Sequence, residues 1–305
     1  MSSNASTLER VLRDGRFAVS VEVGPSKDFN KEKFVSKAEG LKGCADAYNV
    51  TDNQTAVVRF CSLAGSVVLL NLGLEPVLQL TCRDRNRIAL QSDLLGARML
   101  GVRNVLLLTG DHQSFGNHPA ARGVFDVDSV QLIKAASELS TQGVFMNGEP
   151  VKSGPMELFL GGAVNPFSGS LEMRVQRLAK KVDAGLEFVQ TQSVYDVSRF
   201  GTFLDALQDA GLLNKVFVLA GVTPLKSVRM AQRMKFHVPG VVMPDEIFDR
   251  VCSSSDPSNA GFDVAVELLS ELKNLRGLHG VHITALFWEE IVPSLLRESG
   301  LLPKQ

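Results

Sequence analysis

Eight short apolar runs recur along this chain at nearly constant spacing, and that spacing limits the folds open to it. The runs cover residues 17–23, 47–51, 76–81, 104–109, 157–164, 188–192, 216–220 and 280–285. Each is dominated by aliphatic residues and closes on polar or turn residues, the pattern of a parallel strand buried on both faces. Measured at Glu22, Thr51, Thr81, Thr109, Asn165, Gln192, Thr223 and Thr284, the steps are 29, 30, 28, 56, 27, 31 and 61 residues. Five steps fit one strand plus one helix. The other two are about double, which predicts inserted segments after strands 4 and 7. Stripes of helical period lie between the runs. Phe34, Ala38 and Leu41 follow Asn30 as an N-cap, and Val197, Phe200, Phe203, Leu204 and Leu207 stop at Gly211. No Ser/Gly/Pro-rich linker divides the chain. The prediction is one α/β domain over residues 1–305, a (β/α)8 TIM barrel. A doubly wound open sheet would want a Gly-rich phosphate turn after an early strand, and Gly24-Pro25-Ser26 is not one.

Composition narrows the function classes. Hydrophobic residues make up 45% of the chain, charged residues 21%, and mean hydropathy is +0.08, which excludes a disordered chain. Lys and Arg total 32 against 33 Asp and Glu, so no global basic field exists to attract nucleic acid or an anionic membrane. The longest uncharged apolar run, residues 61–74, is too short to span a bilayer. Residues 1–15 read as a short capped helix with Leu8, Val11 and Leu12 on one side, without the apolar segment of a secretory signal. The four cysteines, at 44, 61, 82 and 252, form no CxxC pair, and the five histidines show no ligand spacing. A reduced, cytoplasmic protein without a metal site is expected. No G-x-S-x-G element or Cys/His nucleophile pattern appears, which argues against a covalent hydrolase.

A barrel keeps its chemistry at the C-terminal ends of its strands, and here those ends are polar. Glu22 lies within Val19-Ser20-Val21-Glu22-Val23, where a carboxylate must be paired, hydrogen-bonded or protonated. It reads either as a structural ion pair or as a general acid whose pKa is raised by burial. Asp111 follows Thr109 and Gly110 and reads as a turn aspartate or as a group beside a ligand that glycine lets approach. Gln192 offers donor and acceptor together, suited to the edge of a pterin or flavin, or satisfies its own loop. Lys180-Lys181 reads as a solvated helix face or as a phosphate contact.

These blocks resemble the methylenetetrahydrofolate reductase family over nearly the whole chain. The matching segments come in the family's order: Ser20-Val21-Glu22, Asn49-Val50-Thr51, Gln79-Leu80-Thr81-Cys82, Leu107-Leu108-Thr109-Gly110-Asp111, the block from Lys180 to Gly185, Thr191-Gln192 with Tyr195-Asp196, and the block from Ala220 to Pro224. The resemblance implies a (β/α)8 barrel that carries a flavin. The implied reaction is hydride transfer that reduces 5,10-methylenetetrahydrofolate to 5-methyltetrahydrofolate. By the same resemblance Glu22 is the general acid, and Asp111 stabilises the cationic iminium that accepts hydride. Gln192 contacts the folate. Thr51, Asp52, Gln79, Thr109, Gly110, Phe125, Asp126, Asn165, Lys180 and Lys181 fall at flavin-contacting positions, with Asp111 close to both ligands.

The chain departs from the better-known bacterial pattern at several of these positions. Gln79 and Asn165 stand where that pattern has histidines, and Thr109 stands where it has an arginine. Gly161 falls near the place of an aromatic beside the flavin. FMN is therefore a possible cofactor alongside FAD. Met230, Met234 and Trp288 occupy folate-side positions held there by glutamine, phenylalanine and arginine, which bears on direct use of NAD(P)H. The stretch from Gly110 to His118 and the ending Gly300-Leu301-Leu302-Pro303 are closer to versions from acetogen-like bacteria, which work beside an iron–sulfur partner subunit. Three alternatives stand beside the flavin reductase. They are a pterin-dependent methyltransferase barrel, a reductase using nicotinamide directly, and a non-enzymatic folate-binding subunit.

Overall fold

A computed structural model describes residues 5–302. Strands and helices alternate from end to end. α1 (Thr7–Arg13) precedes β1 (Ala18–Glu22), α2 (Lys31–Gly40), β2 (Ala47–Val50), α3 (Ser62–Asn71), β3 (Pro76–Thr81) and α4 (Arg87–Met99). Then come β4 (Asn104–Leu108), α5 (Ser129–Thr141), β5 (Phe159–Val164), α6 (Leu171–Asp183), β6 (Phe188–Ser193) and α7 (Val197–Asp209). β7 (Phe217–Val222) is followed by three helices, α8 (Val228–His237), α9 (Asp245–Cys252) and α10 (Pro257–Leu272). β8 (Gly280–Ile283) and α11 (Val292–Glu298) complete the order. The eight strands are all parallel and close on themselves, with β8 pairing β1 through Ala18 opposite Gly280 and Ser20 opposite His282. The fold is the (β/α)8 barrel that the spacing predicts.

The long step after strand 7 holds α8 to α10, which pack on one another around a separate apolar cluster of Tyr195, Leu225, Met234, Met243, Val251 and Val264. The long step after strand 4 holds a loop over 109–128 ahead of α5 and a second irregular segment, 142–158, behind it. The early helix expected over residues 1–15 is α1, and residues 1–4 lie outside the described residues, as does Pro303.

Alternation along each strand sorts residues between the helical layer and the barrel interior. The bottom of the interior is apolar. Ala18, Ala47, Val77, Phe159 and Phe188 meet there, and α1 closes the opening with Leu8, Val11 and Leu12 buried against them. Gly161 makes room for this filling, because a Cβ at that position would stand 2.2 Å from the Phe188 ring. The α1 N-terminus is anchored as well as buried. Glu75 accepts from the Thr7 and Leu8 backbone N–H groups at 2.5 and 2.9 Å, and Ser6 Oγ donates to Asn104 Oδ1 at 2.6 Å. A carboxylate is favourable at that end of the helix dipole. Leu12→Ala is expected to cost about 2–5 kcal/mol of stability, read by chemical denaturation, because it leaves a cavity in a filled layer.

Candidate active site at the barrel mouth

Above the apolar floor lies a largely buried polar layer. Asn49 Nδ2 donates to Gln190 Oε1 at 2.7 Å, and Gln190 Nε2 donates to Asn49 Oδ1 and to Ser20 Oγ, both at 3.1 Å. Ser20 Oγ lies 2.9 Å from His282 Nδ1, and His282 Nε2 lies 3.3 Å from Thr284 Oγ1. Burial holds His282 down to about 4, so its imidazole is neutral at physiological pH. Each polar group here has a partner, as interior burial demands.

One step further up, Glu22 and Thr51 face the mouth side by side. An ideal Cβ on Gly24 would stand 3.7 Å from Glu22 Oε1 and 3.9 Å from Thr51 Oγ1, so both oxygens border the position where Gly24 carries no side chain. Thr51 is buried and its hydroxyl has no hydrogen-bond partner. An unpaired buried hydroxyl costs about 1–3 kcal/mol, and a ligand atom at that place would recover it. Glu22 is 8% exposed, and among the described residues no cation is bonded to it. Burial first, then the nearby Glu289 carboxylate, pushes its carboxyl up to about 7. A 3.4 Å hydrogen bond from Gln54 Nε2 and the charges of Lys37 and Arg59 pull the other way. The result is a carboxyl that holds a proton near neutrality, the environment of a general acid.

The rim is made by loops held in unusual conformations. Asn53, Thr55 and Ala56 all adopt positive φ (44°, 56° and 56°) in the loop after β2, the loop that carries Gln54. Such geometry in non-glycine residues stores strain and collects at functional sites. Arg83, almost wholly buried, joins this loop to the next by donating to Asn53 O and Asp111 O, both at 3.3 Å. Gly110 has φ +91° and would bring a Cβ to 3.0 Å from Thr81 Cβ, so only glycine fits between the ends of β3 and β4. Asp111 itself is exposed on this loop. At the end of β6 a bulge shifts the register between Gln190 and Ser193, and Gly221 on β7 accommodates it, since a Cβ there would lie 2.4 Å from Thr191 O. Bulges re-aim side chains at barrel rims. Gln192 sits in this one, with its own Oε1 accepting from Ser193 N at 3.0 Å. Two concavities of about 480 and 300 Å³, beside Arg87 and Phe145 and beside Tyr195 and Ile247, lie among the outer helices and carry none of this polar set.

A sequence profile of methylenetetrahydrofolate reductase matches residues 7–300. The chain belongs to the methylenetetrahydrofolate reductase family. It is 25% identical over 247 residues to methylenetetrahydrofolate reductase 2 of Schizosaccharomyces pombe, a match covering 75% of this chain and 36% of that protein. The chain thus spans little more than a third of the fission-yeast relative's length. It is 23% identical to the 5,10-methylenetetrahydrofolate reductase of Escherichia coli over 76% of this chain and 72% of that one. Its fold is similar to that of a Clostridium thermocellum protein that binds two copies of 5-methyl-5,6,7,8-tetrahydrofolic acid. The TM-score is 0.64 at 16% identity, over 96% of this chain and 98% of that one.

Within this reductase-family barrel the residues singled out from sequence divide into two groups. Glu22, Thr51, Gln79, Gly110, Asp111 and Gln192 all lie at or just beyond the strand ends of the mouth. Several others are committed to the protein itself. Asp52 accepts from Thr81 N and Oγ1 and pairs with Arg85 at 2.7 Å. Thr109 Oγ1 accepts from Ser129 N at the start of α5. Asp126 binds Arg87 through both carboxylate oxygens and is held down to about 2 by that guanidinium. Asn165 Oδ1 accepts from Phe167 N, and its amide abuts Gly240. Lys180 is exposed on α6, and Lys181 donates to Ala163 O at 2.6 Å. Phe125, at φ 40°, lies parallel to His112 with ring centroids 6.4 Å apart. Met234 is core in the α8–α10 cluster, Met230 packs partly buried against it, and Trp288 is buried with Lys226 Nζ 5.7 Å from its ring centroid. Gly161 belongs to the interior filling rather than the mouth.

Gln54, Lys37, Arg59 and Glu289 act on Glu22 and carry no motif, and His282 lies in the polar layer beneath it. Of these, His282 alone had a readable signal, as a polar residue within the apolar run of β8. Among the described residues no group of His, Cys, Asp and Glu could hold a metal, and no helix is long and apolar enough to cross a membrane.

Glu22 and His282 give opposite pH dependences. Glu22 binds its proton more tightly when folded, so its contribution favours the fold at acid pH and is lost as pH rises from about 4.5 to about 7. His282 binds its proton less tightly when folded, so its contribution is present above about 6.5 and lost as pH falls towards about 4. Glu22→Gln is expected to be more stable than the parent by about 3 kcal/mol at pH 8 and little different at pH 4, read by denaturant titration at both pH values.

Proposed function

We propose that this barrel reduces 5,10-methylenetetrahydrofolate to 5-methyltetrahydrofolate. The observation that carries the reading is Glu22, a buried carboxyl protonated near neutrality, beside the unpartnered Thr51 hydroxyl at the catalytic end of the barrel. The C. thermocellum neighbour's binding of methyltetrahydrofolate supports a pterin at this mouth.

In this reading Glu22 donates its proton to N10 of the folate's five-membered ring as the bond between that nitrogen and the bridging carbon breaks. The carbon is left as an N5-iminium cation, and hydride adds to it to give the methyl group. Asp111, on the rim, supplies negative charge towards the cation. Gln192, with its Oε1 engaged, keeps its amide N–H groups for the pterin. A bound flavin would supply the hydride, with its ring against Thr51, Gln79 and Gly110. FAD and FMN carry the same ring, so the reading holds for either. The electrons would come from NAD(P)H or from an iron–sulfur partner.

A second reading is favoured by Thr109, Asp126 and Asn165, whose polar groups are used within the chain. It takes the barrel as a folate-binding protein without resident flavin that hands on a methyl group.

The test is anaerobic. The protein is loaded with FAD or FMN, reduced with dithionite and mixed with 5,10-methylenetetrahydrofolate while flavin absorbance and 5-methyltetrahydrofolate are followed. Reoxidation with product formation is expected. Failure to bind either flavin, together with methyl transfer from 5-methyltetrahydrofolate, would establish the second reading instead. In the working enzyme Glu22→Gln is expected to slow the step about 10²- to 10⁴-fold, which is about 3–5 kcal/mol of barrier. Because the acid must hold its proton, the parent's rate is expected to fall as pH rises through about 7.

A further inference from the structure

Lys37 on α2 and Glu289, just after Trp288, meet in an ion pair of 2.8 Å with side chains only 23% and 15% exposed. α2 follows directly from Glu22's own strand, and the 3-10 turn Glu289–Ile291 follows β8, the strand paired with β1. The pair therefore bridges the two segments that flank Glu22, and both of its charges reach that carboxyl. We propose that the Lys37–Glu289 ion pair tunes the buried acid of the mouth, each partner restraining the charge that the other would impose on Glu22.

The inference rests on the reading of Glu22 as the acid of the reaction. Lys37 and Glu289 are positioning residues, since they act through Glu22. The other groups facing Glu22 are accounted for. Arg59 in the loop after β2 attracts it, Gln54 in the same loop donates to it, and His282 on β8 is neutral. Thr51 and Asn49 on the β2 side carry no charge. Lys226, on the loop after β7, faces Glu290 at 3.7 Å rather than Glu289.

The arrangement has a signature that an ordinary stabilising salt bridge lacks. Removing the cation leaves the Glu289 anion facing Glu22, which makes the acid hold its proton to higher pH. Removing the anion frees the Lys37 ammonium to attract the Glu22 carboxylate, which makes it release its proton at lower pH. The two ends of one bond therefore act in opposite directions.

The test uses protein labelled with ¹³C at the glutamate side-chain carboxyl, with the Glu22 resonance assigned by its loss in Glu22→Gln. Its titration midpoint is followed in Lys37→Met, Glu289→Gln and the double variant. The midpoint is expected to rise by about one pH unit in Lys37→Met and fall by about one unit in Glu289→Gln. The double variant, which removes both charges, is expected to return close to the parent and serves if a single variant fails to fold. Midpoints that move together, or stay fixed while stability falls, overturn the proposal. The pH profile of turnover separates this from the reading of function. If its alkaline limb follows the midpoints, tuning and acid role both stand. If the midpoints diverge while the limb stays fixed, the tuning stands and Glu22 is not the acid.

Discussion

Closure of eight parallel strands is the constraint from which the rest of this structure follows. A closed sheet has no edge, and every second side chain on each strand must fit a space bounded by the other seven. The chain fills that space in levels. The lowest is apolar and sealed by α1, with Gly161 giving way to the Phe188 ring. The next is polar but internally saturated, through Ser20, Asn49, Gln190 and His282. Above these, Thr51 has no partner and Glu22 only a long contact to Gln54. The lower polar layer is therefore saturated within the protein, while Thr51 and Glu22 above it are not. The sidedness of the barrel thus arises from where hydrogen bonds run out.

The mouth depends on connections between loops rather than on the strands alone. Arg83 is buried among backbone carbonyls of two different loops, with Asp84 beside it as counter-charge. A guanidinium suits this position because its fixed fork reaches both carbonyls while remaining paired. The tie holds Asn53 in a left-handed conformation and, through the same loop, brings Gln54 over Glu22. Its amide offers the carboxyl a long contact of 3.4 Å. The strained residues Asn53, Thr55 and Ala56 thus flank the Gln54 amide that covers the acid.

The barrel was legible because repetition is a long-range signal. Eight apolar runs at a step near 30 residues survive errors of a residue or two at each strand end. Those errors did occur: the strand expected over 157–164 begins at Phe159, and the one expected over 216–220 extends to Val222. Glu22 was legible because a carboxylate in a Val-rich strand has few explanations. The flavin-side positions carried over by resemblance were less informative. Asp126, Thr109 and Asp52 each have partners brought from elsewhere in the fold, Arg87, Ser129 and Arg85, which no local pattern announces. Met234 was similarly ambiguous, because it packs in the cluster built with the inserted α9 and α10. Lys37 and Glu289 lie 252 positions apart and meet only because β8 closes on β1.

The polar layer beneath Glu22 also explains why an acid can exist there. Ser20 and Glu22 share one face of β1, and His282 stands opposite Ser20 across the β1–β8 pairing. A protonated imidazole at that place would be a buried cation below the carboxyl and would hold it ionised. Ser20 and Thr284 flank the two ring nitrogens, so the neutral ring finds a partner on each side, whereas the charged ring would face desolvation without a counter-ion. The layer thus excludes charge while satisfying every dipole. An apolar layer would also leave Glu22 neutral, but it would supply no hydrogen bond to Asn49 or Thr284. With a neutral floor, burial raises the proton affinity of Glu22 first, and Glu289, Gln54, Lys37 and Arg59 then adjust it.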